Sequence, residues 1–119
     1  MRLVILESPF AGKGDTPADI AQDAYRKLKY ARRCVRDSLL RGEAPIASHL
    51  LYTQPDILRD WVPEERAHGI AAGLAWRSVA DASVVYCDLG VSEGMRQGIE
   101  AARASGLVVE ERYVGEFEK

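Results

Sequence analysis

Four short apolar runs separate three amphipathic stretches along the chain. The runs are nearly continuous rather than alternating, a pattern that is typical of strands covered on both faces of a parallel sheet. The predicted strands span residues 3–7, 44–48, 83–88 and 107–109, and the second is expected to end in His49.

Three helices are predicted between these strands, over residues 17–41, 63–77 and 92–105. Thr16 is a favourable N-cap for the first helix, Pro17 suits its first helical position, and Gly42 ends it. Pro63 opens the second helix in the same way, and Gly106 caps the third.

Two segments fall outside this pattern. Residues 50–62 show no clear period, although they hold Tyr52 and Trp61. Such a long, partly apolar excursion indicates a lid or a subunit contact rather than a plain linker. After the last strand the sequence continues into a charged tail, from Glu110 to Lys119.

The alternation of strands and helices predicts one α/β domain over residues 1–119. We expect a small three-layer domain of the flavodoxin-like or Rossmann-like type, with a parallel sheet of four to five strands covered on both faces. In the flavodoxin-like order, the first and third strands are neighbours, and ligands bind beyond their carboxyl ends. This order would bring the loop at residues 8–12 beside the loop at residues 88–95.

Composition narrows the class of protein. The chain has 119 residues, of which 47% are hydrophobic and 29% charged, and its net charge is −2. This balance is typical of a soluble, cytoplasmic domain and argues against a binder of nucleic acid polymers or a membrane protein. Cys34 and Cys87 are expected to be reduced thiols, and His49 and His68 have no ligand-spaced partners. We therefore expect neither a metal site nor a cofactor.

The loop after the third strand carries the strongest local signal for a ligand. Gly90 and Gly94 permit close approach to the backbone, and a helix N-terminus presents free N–H groups to an anion. Asp88 could accept hydrogen bonds from sugar hydroxyls, and Ser92 could cap the helix or donate to a phosphate. Small residues are also common in such turns for packing reasons, so both interpretations stay open.

Three segments resemble the nucleoside 2-deoxyribosyltransferase-like family, over most of the chain. They are the first strand with Ser8-Pro9-Phe10-Ala11-Gly12, the second strand with Ala47-Ser48-His49, and Val91-Ser92-Glu93-Gly94-Met95-Arg96-Gln97-Gly98. The resemblance implies a flavodoxin-like fold, a homodimer or larger homo-oligomer, and cleavage or exchange of the N-glycosidic bond of a deoxynucleoside or deoxynucleotide. It also implies that residues 8–12 line the base and sugar site, while Asp88 and the turn at 92–95 hold the sugar and any 5′-phosphate.

One position departs from that family. Its enzymes have a glutamate directly after the residue that matches Met95, whereas this chain has Arg96, which stays protonated and cannot act as a nucleophile or base. Glu93 and Glu100 lie near the same helix face and are the possible replacements, or else surface ion-pair partners. Glu93 and Asp88 are thus the predicted catalytic residues. Arg96 would favour a phosphate at the pocket rim, as in a nucleotide or an ADP-ribose-like ligand, unless it points to solvent.

Three residues elsewhere have two interpretations each. His49 would face the pocket as a ligand contact or proton donor, or it is a packed structural histidine. Tyr52 and Trp61 could stack on a base or bury a subunit contact. The predicted ligand-binding residues are Ser8, Pro9, Phe10, Ala11, Gly12, His49, Asp88, Gly90, Ser92, Gly94, Met95 and Arg96.

Three functions remain open at this point. The first is an enzyme, either a nucleoside or nucleotide deoxyribosyltransferase or an N-glycoside hydrolase. The second is a non-catalytic module that senses or sequesters a nucleotide-derived ligand, such as an ADP-ribose-like molecule or a cyclic nucleotide. The third is an interaction protein that assembles through residues 50–62.

Overall fold

The computed structural model describes residues 1–115, so the end of the predicted charged tail, at 116–119, lies outside the described residues. Strands and helices alternate as the sequence pattern predicts. Their bounds are β1 (Arg2–Glu7), α1 (Pro17–Leu40), β2 (Glu43–Ile46), α2 (Ser48–Leu51), α3 (Pro63–Ala75), β3 (Ala82–Tyr86), α4 (Glu93–Ala104) and β4 (Val108–Arg112). A 3₁₀ turn, Trp76–Ser78, extends α3.

The four strands of the described region form one parallel sheet in the order β2-β1-β3-β4. Val4 pairs with Ala82, and Glu7 at the end of β1 pairs with Val85. The predicted α/β class is therefore confirmed, and so is the flavodoxin-like neighbourhood of the first and third strands. The carboxyl ends of β1 and β3 lie side by side, as a ligand site at the switch point requires.

Helices cover both faces of the sheet. On one face Leu6 and Tyr86 belong to the same core cluster as Tyr30 and Cys34 of α1. Successive residues of a strand point to opposite faces, so Val85 points to the face where α4 lies. All five residues of β3 are buried, which identifies this strand as the centre of the molecule.

Side-chain caps set the predicted starts of two helices. Thr16 accepts a hydrogen bond at 3.1 Å from the backbone N–H of Asp19, and Pro17 follows at the first helical position. Ser92 accepts from the N–H of Met95 at 3.2 Å at the start of α4. Each cap satisfies a backbone donor that the helix itself leaves free.

The structure corrects three predicted boundaries. β2 ends at Ile46, so the prediction that the second strand continues to residue 48 and ends in His49 is wrong. The carbonyl of Ala47 instead accepts from the N–H groups of Leu50 and Leu51, each at 3.0 Å, which starts α2. The excursion at 50–62 accordingly begins inside a helix, and the predicted tail from residue 110 begins inside β4.

A buried ionic cluster joins the two edge strands across the α1 face. Arg112 of β4 donates two hydrogen bonds to Glu43 of β2, both at 2.7 Å, and the two side chains are 6% and 7% exposed. Ser38 and Arg2 donate to the same carboxylate at 2.8 and 3.1 Å. These contacts, with the hydrogen bond from Arg112 the largest cause, lower the pKa of Glu43 to about 2.

Within residues 1–115, no helix combines the length and the apolar character that a membrane crossing needs.

Candidate functional site

A cavity of about 230 Å³ opens at the carboxyl end of β1. Its wall is formed by the end of β1 and the following loop, by α2, by the segment between α2 and α3, by α3, and by the start of α4. The cavity thus lies at the switch point, although its main partner for β1 is the first turn of α4 rather than the loop directly after β3.

Glu7, the last residue of β1, faces this cavity from below α4. It points away from α1, since Val4 and Leu6 fill that side. Its carboxylate lies against Gly98, where an added Cβ would be 2.2 Å from Oε2. Within residues 1–115 no hydrogen bond or ion pair reaches this carboxylate, and burial raises its pKa to about 7.

Ser8 and His49 meet beside Glu7. Ser8 Oγ lies 2.7 Å from Nε2 of His49, and the two atoms form one hydrogen bond. The imidazole tautomer decides which of the two groups donates it. The ring of Phe10 packs edge-to-face on His49, with centroids 5.8 Å apart. Burial lowers the pKa of His49 to about 4, so the ring is neutral at neutral pH. A neutral imidazole can donate or accept a hydrogen bond but does not supply a readily transferred proton.

Charged side chains at the rim of the cavity are paired with one another. Arg59 Nε donates to Glu65 Oε2 at 2.7 Å, and this pair lowers the pKa of Glu65. Arg66 donates to Asp60 at 3.1 Å. Both pairs join the segment before α3 to the first turn of that helix. They leave Glu7 as the unpaired charge of the cavity among the described residues.

Seven of the predicted ligand-binding residues line the cavity. They are Ser8, Phe10, Ala11, His49, Ser92, Gly94 and Met95. Pro9, Gly12, Gly90, Asp88 and Arg96 do not line it, and the predicted catalytic Glu93 does not either. Tyr52 lines the cavity and its hydroxyl accepts from Trp76 Nε1 at 3.0 Å, whereas Trp61 is 80% exposed and lies outside.

Asp88 holds the chain together after the last strand. Its carboxylate accepts from the hydroxyl of Tyr30 at 2.5 Å and from the N–H groups of Val114 and Gly115 at 3.0 and 3.1 Å. Oδ1 accepts two of these hydrogen bonds and Oδ2 accepts one, on the carboxylate that is predicted to hold a sugar. The predicted catalytic and sugar-binding roles of Asp88 stay predictions, but the contacts in place connect α1 with the segment after β4.

Glu93 and Arg96 form a surface pair. Arg96 Nε lies 3.5 Å from Glu93 Oε2, and the two side chains are 60% and 73% exposed. Arg96 therefore points to solvent. This is the alternative in which its charge does not favour a phosphate in the pocket. The structure places the carboxylate of Glu93 outside the cavity, and its predicted catalytic role stays a prediction.

Glu7 is the main residue that the predicted site lacks. A signal was present, because a carboxylate directly after the apolar run Leu3-Val4-Ile5-Leu6 must sit at the buried end of a central strand, where an ionised group is costly. Perturbed carboxylates of this kind cluster at functional sites. The wall formed by α2 gave no comparable signal, because a helix of four residues is too short to show a period.

No group of three His, Cys, Asp or Glu side chains in residues 1–115 is placed to hold a metal ion.

Comparisons with known proteins identify a family. A family model described as a domain of unknown function, DUF7768, matches residues 2–112. No curated protein matches the chain, and no solved structure does.

Proposed function

Since the chain belongs to a family described as a domain of unknown function, DUF7768, we propose its function from the site itself. The proposal is that the cavity beside β1 binds a nucleoside and that Glu7 acts on its N-glycosidic bond. The observation that carries it is the unpaired Glu7 carboxylate in a cavity of about 230 Å³. The resemblance of the sequence to nucleoside 2-deoxyribosyltransferases concerns the same bond.

Glu7 has the properties that cleavage of this bond asks for. Breaking a glycosidic bond builds positive charge on the sugar ring, and a fixed carboxylate in a poorly solvated site stabilises that charge. A carboxylate can also take the proton of an attacking water, and it does so best when its pKa lies near the working pH. Burial places the pKa of Glu7 at about 7.

The lining suits a base joined to a sugar. Phe10, Tyr52 and Leu74 offer flat or apolar surface to a base, and Ser8 and His49 offer hydrogen bonds. The volume of about 230 Å³ lies below the roughly 300 Å³ at which pockets for drug-sized ligands begin. This size favours a nucleoside over a dinucleotide or an ADP-ribose-like molecule.

Charge favours a nucleoside without phosphates. Arg66 is the cavity's arginine and is paired with Asp60, while Arg96 lies at the surface. A phosphate would therefore meet the unpaired Glu7 carboxylate without a free cation to offset it. We expect 5′-monophosphates to bind more weakly than the parent nucleosides.

The test is release of free base from a panel of ribonucleosides, deoxynucleosides and their 5′-monophosphates, followed by chromatography. We expect turnover of at least one nucleoside, with Glu7→Gln lowering the rate by about 100-fold or more. Glu111→Gln removes an exposed carboxylate on β4 and should leave the rate unchanged. Full activity in Glu7→Gln would contradict the role of Glu7.

Binding without turnover is the second candidate function. It is favoured by the positions of Asp88 and Glu93, because neither lines the cavity. The other two carboxylates of the lining, Asp60 and Glu65, are held in ion pairs with arginines, whereas many glycosidases use a second free carboxylate. Saturable binding of a nucleoside in a calorimetric titration, with no base released from any member of the panel, would support this candidate. Absence of both binding and turnover would contradict either function.

A further inference from the structure

We propose that the nucleoside taken by this cavity carries a positive charge on its base, as in a pyridinium nucleoside or an N-alkylated purine nucleoside. This inference rests on the proposed function and names its substrate class. It is carried by the charge balance of the cavity and by the position of Glu7 within it.

The charge balance follows from the partners of each group that faces Glu7. On the segment before α3, Asp60 is paired with Arg66, and on α3 Glu65 is paired with Arg59. His49 of α2 is neutral, and on α4 the closest approach is made by Gly98, which brings no charge. When Glu7 is ionised, one negative charge is left over, on its carboxylate. A ligand with one positive charge would balance that negative charge.

Burial makes that unpaired charge significant. A carboxylate at the end of a central strand, pressed against a helix backbone, is poorly solvated, and a poorly solvated charge gains most from an opposite charge nearby. A flat cation can also stack on aromatic rings, and Phe10 and Tyr52 line the same cavity. The cavity thus offers both partners that an aromatic cation needs.

The same inference removes the need for a proton donor beside the leaving base. A neutral base departs from a nucleoside as an anion unless an acid gives it a proton, and the neutral His49 is poorly suited to do so. A cationic base needs no proton, because it leaves as a neutral molecule. Glu7 can then stay ionised and stabilise the sugar cation.

The atoms balance for hydrolysis with water as the co-reactant. The water oxygen bonds to the anomeric carbon as the bond from that carbon to the ring nitrogen breaks. The electron pair of the broken bond goes to the nitrogen and cancels its charge. Glu7 takes the proton of the water and releases it to solvent, leaving free sugar and neutral base.

The experiment compares two probes that share a sugar and a carboxamide and differ in ring charge: nicotinamide riboside, which is a cation, and its reduced dihydro form, which is neutral. Both are titrated into the full chain at about pH 8, where Glu7 is ionised. We expect the cation to bind about tenfold more tightly or better. Glu7→Gln should abolish that preference, and Glu111→Gln should keep it.

The outcomes separate this inference from the proposed function. Equal binding of the two probes would overturn the inference and leave a nucleoside site in place, whereas binding of neither probe nor any other nucleoside would overturn both. A second measurement uses only the unchanged chain. The affinity for the cation should fall about tenfold between about pH 8 and about pH 5.5, as Glu7 takes up its proton. A flat profile over this range would overturn the inference.

Discussion

Glu7 is held in a place where its ionised form is disfavoured, and this has a consequence for folding. Burial raises its pKa from 4.5 to about 7, so the folded protein holds this proton more tightly than the unfolded chain does. The stability that the group contributes is full below the unfolded pKa and is lost as the pH rises through the folded pKa. We expect Glu7→Gln to raise the free energy of unfolding at about pH 8 by roughly 1–3 kcal/mol.

Urea unfolding at about pH 8 and about pH 5 measures this effect, because the gain should be confined to the higher pH. Glu111→Gln is the matched control, since it removes an exposed carboxylate by the same chemical change. A Glu7→Gln variant that is no more stable than the unchanged chain at either pH would contradict the prediction. It would mean that Glu7 is better solvated than its place beneath α4 indicates.

The sequence predicts the place of a single residue in the site best where a side chain able to contact a ligand falls in a loop at the end of a strand. Ser8, His49 and Met95 line the cavity, and their ligand-binding roles stay predictions. Arg96 is different, because its helix position was known but its direction was not, and on α4 it turns to Glu93 at the surface. Sequence gives a residue's place along a helix more readily than the face of the helix that the fold will cover.

Between elements, β1 and α4 make a contact in which a larger residue at position 98 fits only if the side chain of Glu7 moves. A Cβ there would lie 2.2 Å from Oε2 of Glu7, so Gly98→Ala must displace the carboxylate. We expect Gly98→Ala to destabilise the chain and to weaken nucleoside binding. In a Glu7→Ala background the same change should stabilise it by about 0.5–1 kcal/mol, since alanine is the better helix former.

This reversal of sign is the readout. A double-mutant cycle in urea unfolding, built from the two single variants and the double variant, gives the coupling between the positions directly. Additive effects would show that the side chain of Glu7 moves aside without cost. Thermal melts of the same variants give an independent check on the order of stabilities.

Elements with strong local signals were predicted well. The long α1, with its Thr16 cap and Pro17, and α4, with its Ser92 cap, begin where the sequence indicates. α2 was not predicted, since a four-residue helix is held by its packing against α3 and α1 rather than by its own pattern. Because α2 supplies His49, this miss concerns the wall of the site rather than the sheet.

At the scale of the whole molecule, the buried ion pair between Glu43 and Arg112 joins the two outer strands of the sheet. We expect Arg112→Met to cost about 3–5 kcal/mol, because it leaves a buried carboxylate without its main partner. Urea unfolding at neutral pH measures the loss. The double variant Glu43→Gln/Arg112→Met should lose less than Arg112→Met alone, and an equal loss would show that packing rather than charge dominates.

Glu43 also makes the stability of the fold depend on pH in the acid range. Its pKa is lowered from 4.5 to about 2, chiefly by the hydrogen bond from Arg112, so its contribution is present above the unfolded pKa and is lost as the pH falls towards about 2. We expect unfolding on acidification in this range, followed by circular dichroism. Glu43→Gln should be less stable at neutral pH and should show a flatter acid profile. An unchanged acid midpoint would assign this dependence to other carboxylates.

The alternation of strands and helices predicted the sheet order and the covering of both faces. It could not predict the contacts within the ionic cluster. Glu43 and Arg112 are 69 residues apart in the sequence and lie on strands that are not neighbours. The folded sheet beneath α1 brings them together. Long-range pairs of this kind depend on the whole fold, so local sequence patterns carry no trace of them.

The close approach of β1 to α4 also has an evolutionary consequence. A glutamate at position 7 and a side chain at position 98 compete for one volume, since even a methyl group at 98 would overlap the carboxylate. Relatives that keep the acid should therefore keep the glycine, and those that have gained bulk at 98 should have lost the acid. Such paired replacement would divide the family into members with a charged cavity floor and members without one, and reading the two columns together would identify which relatives share this chemistry.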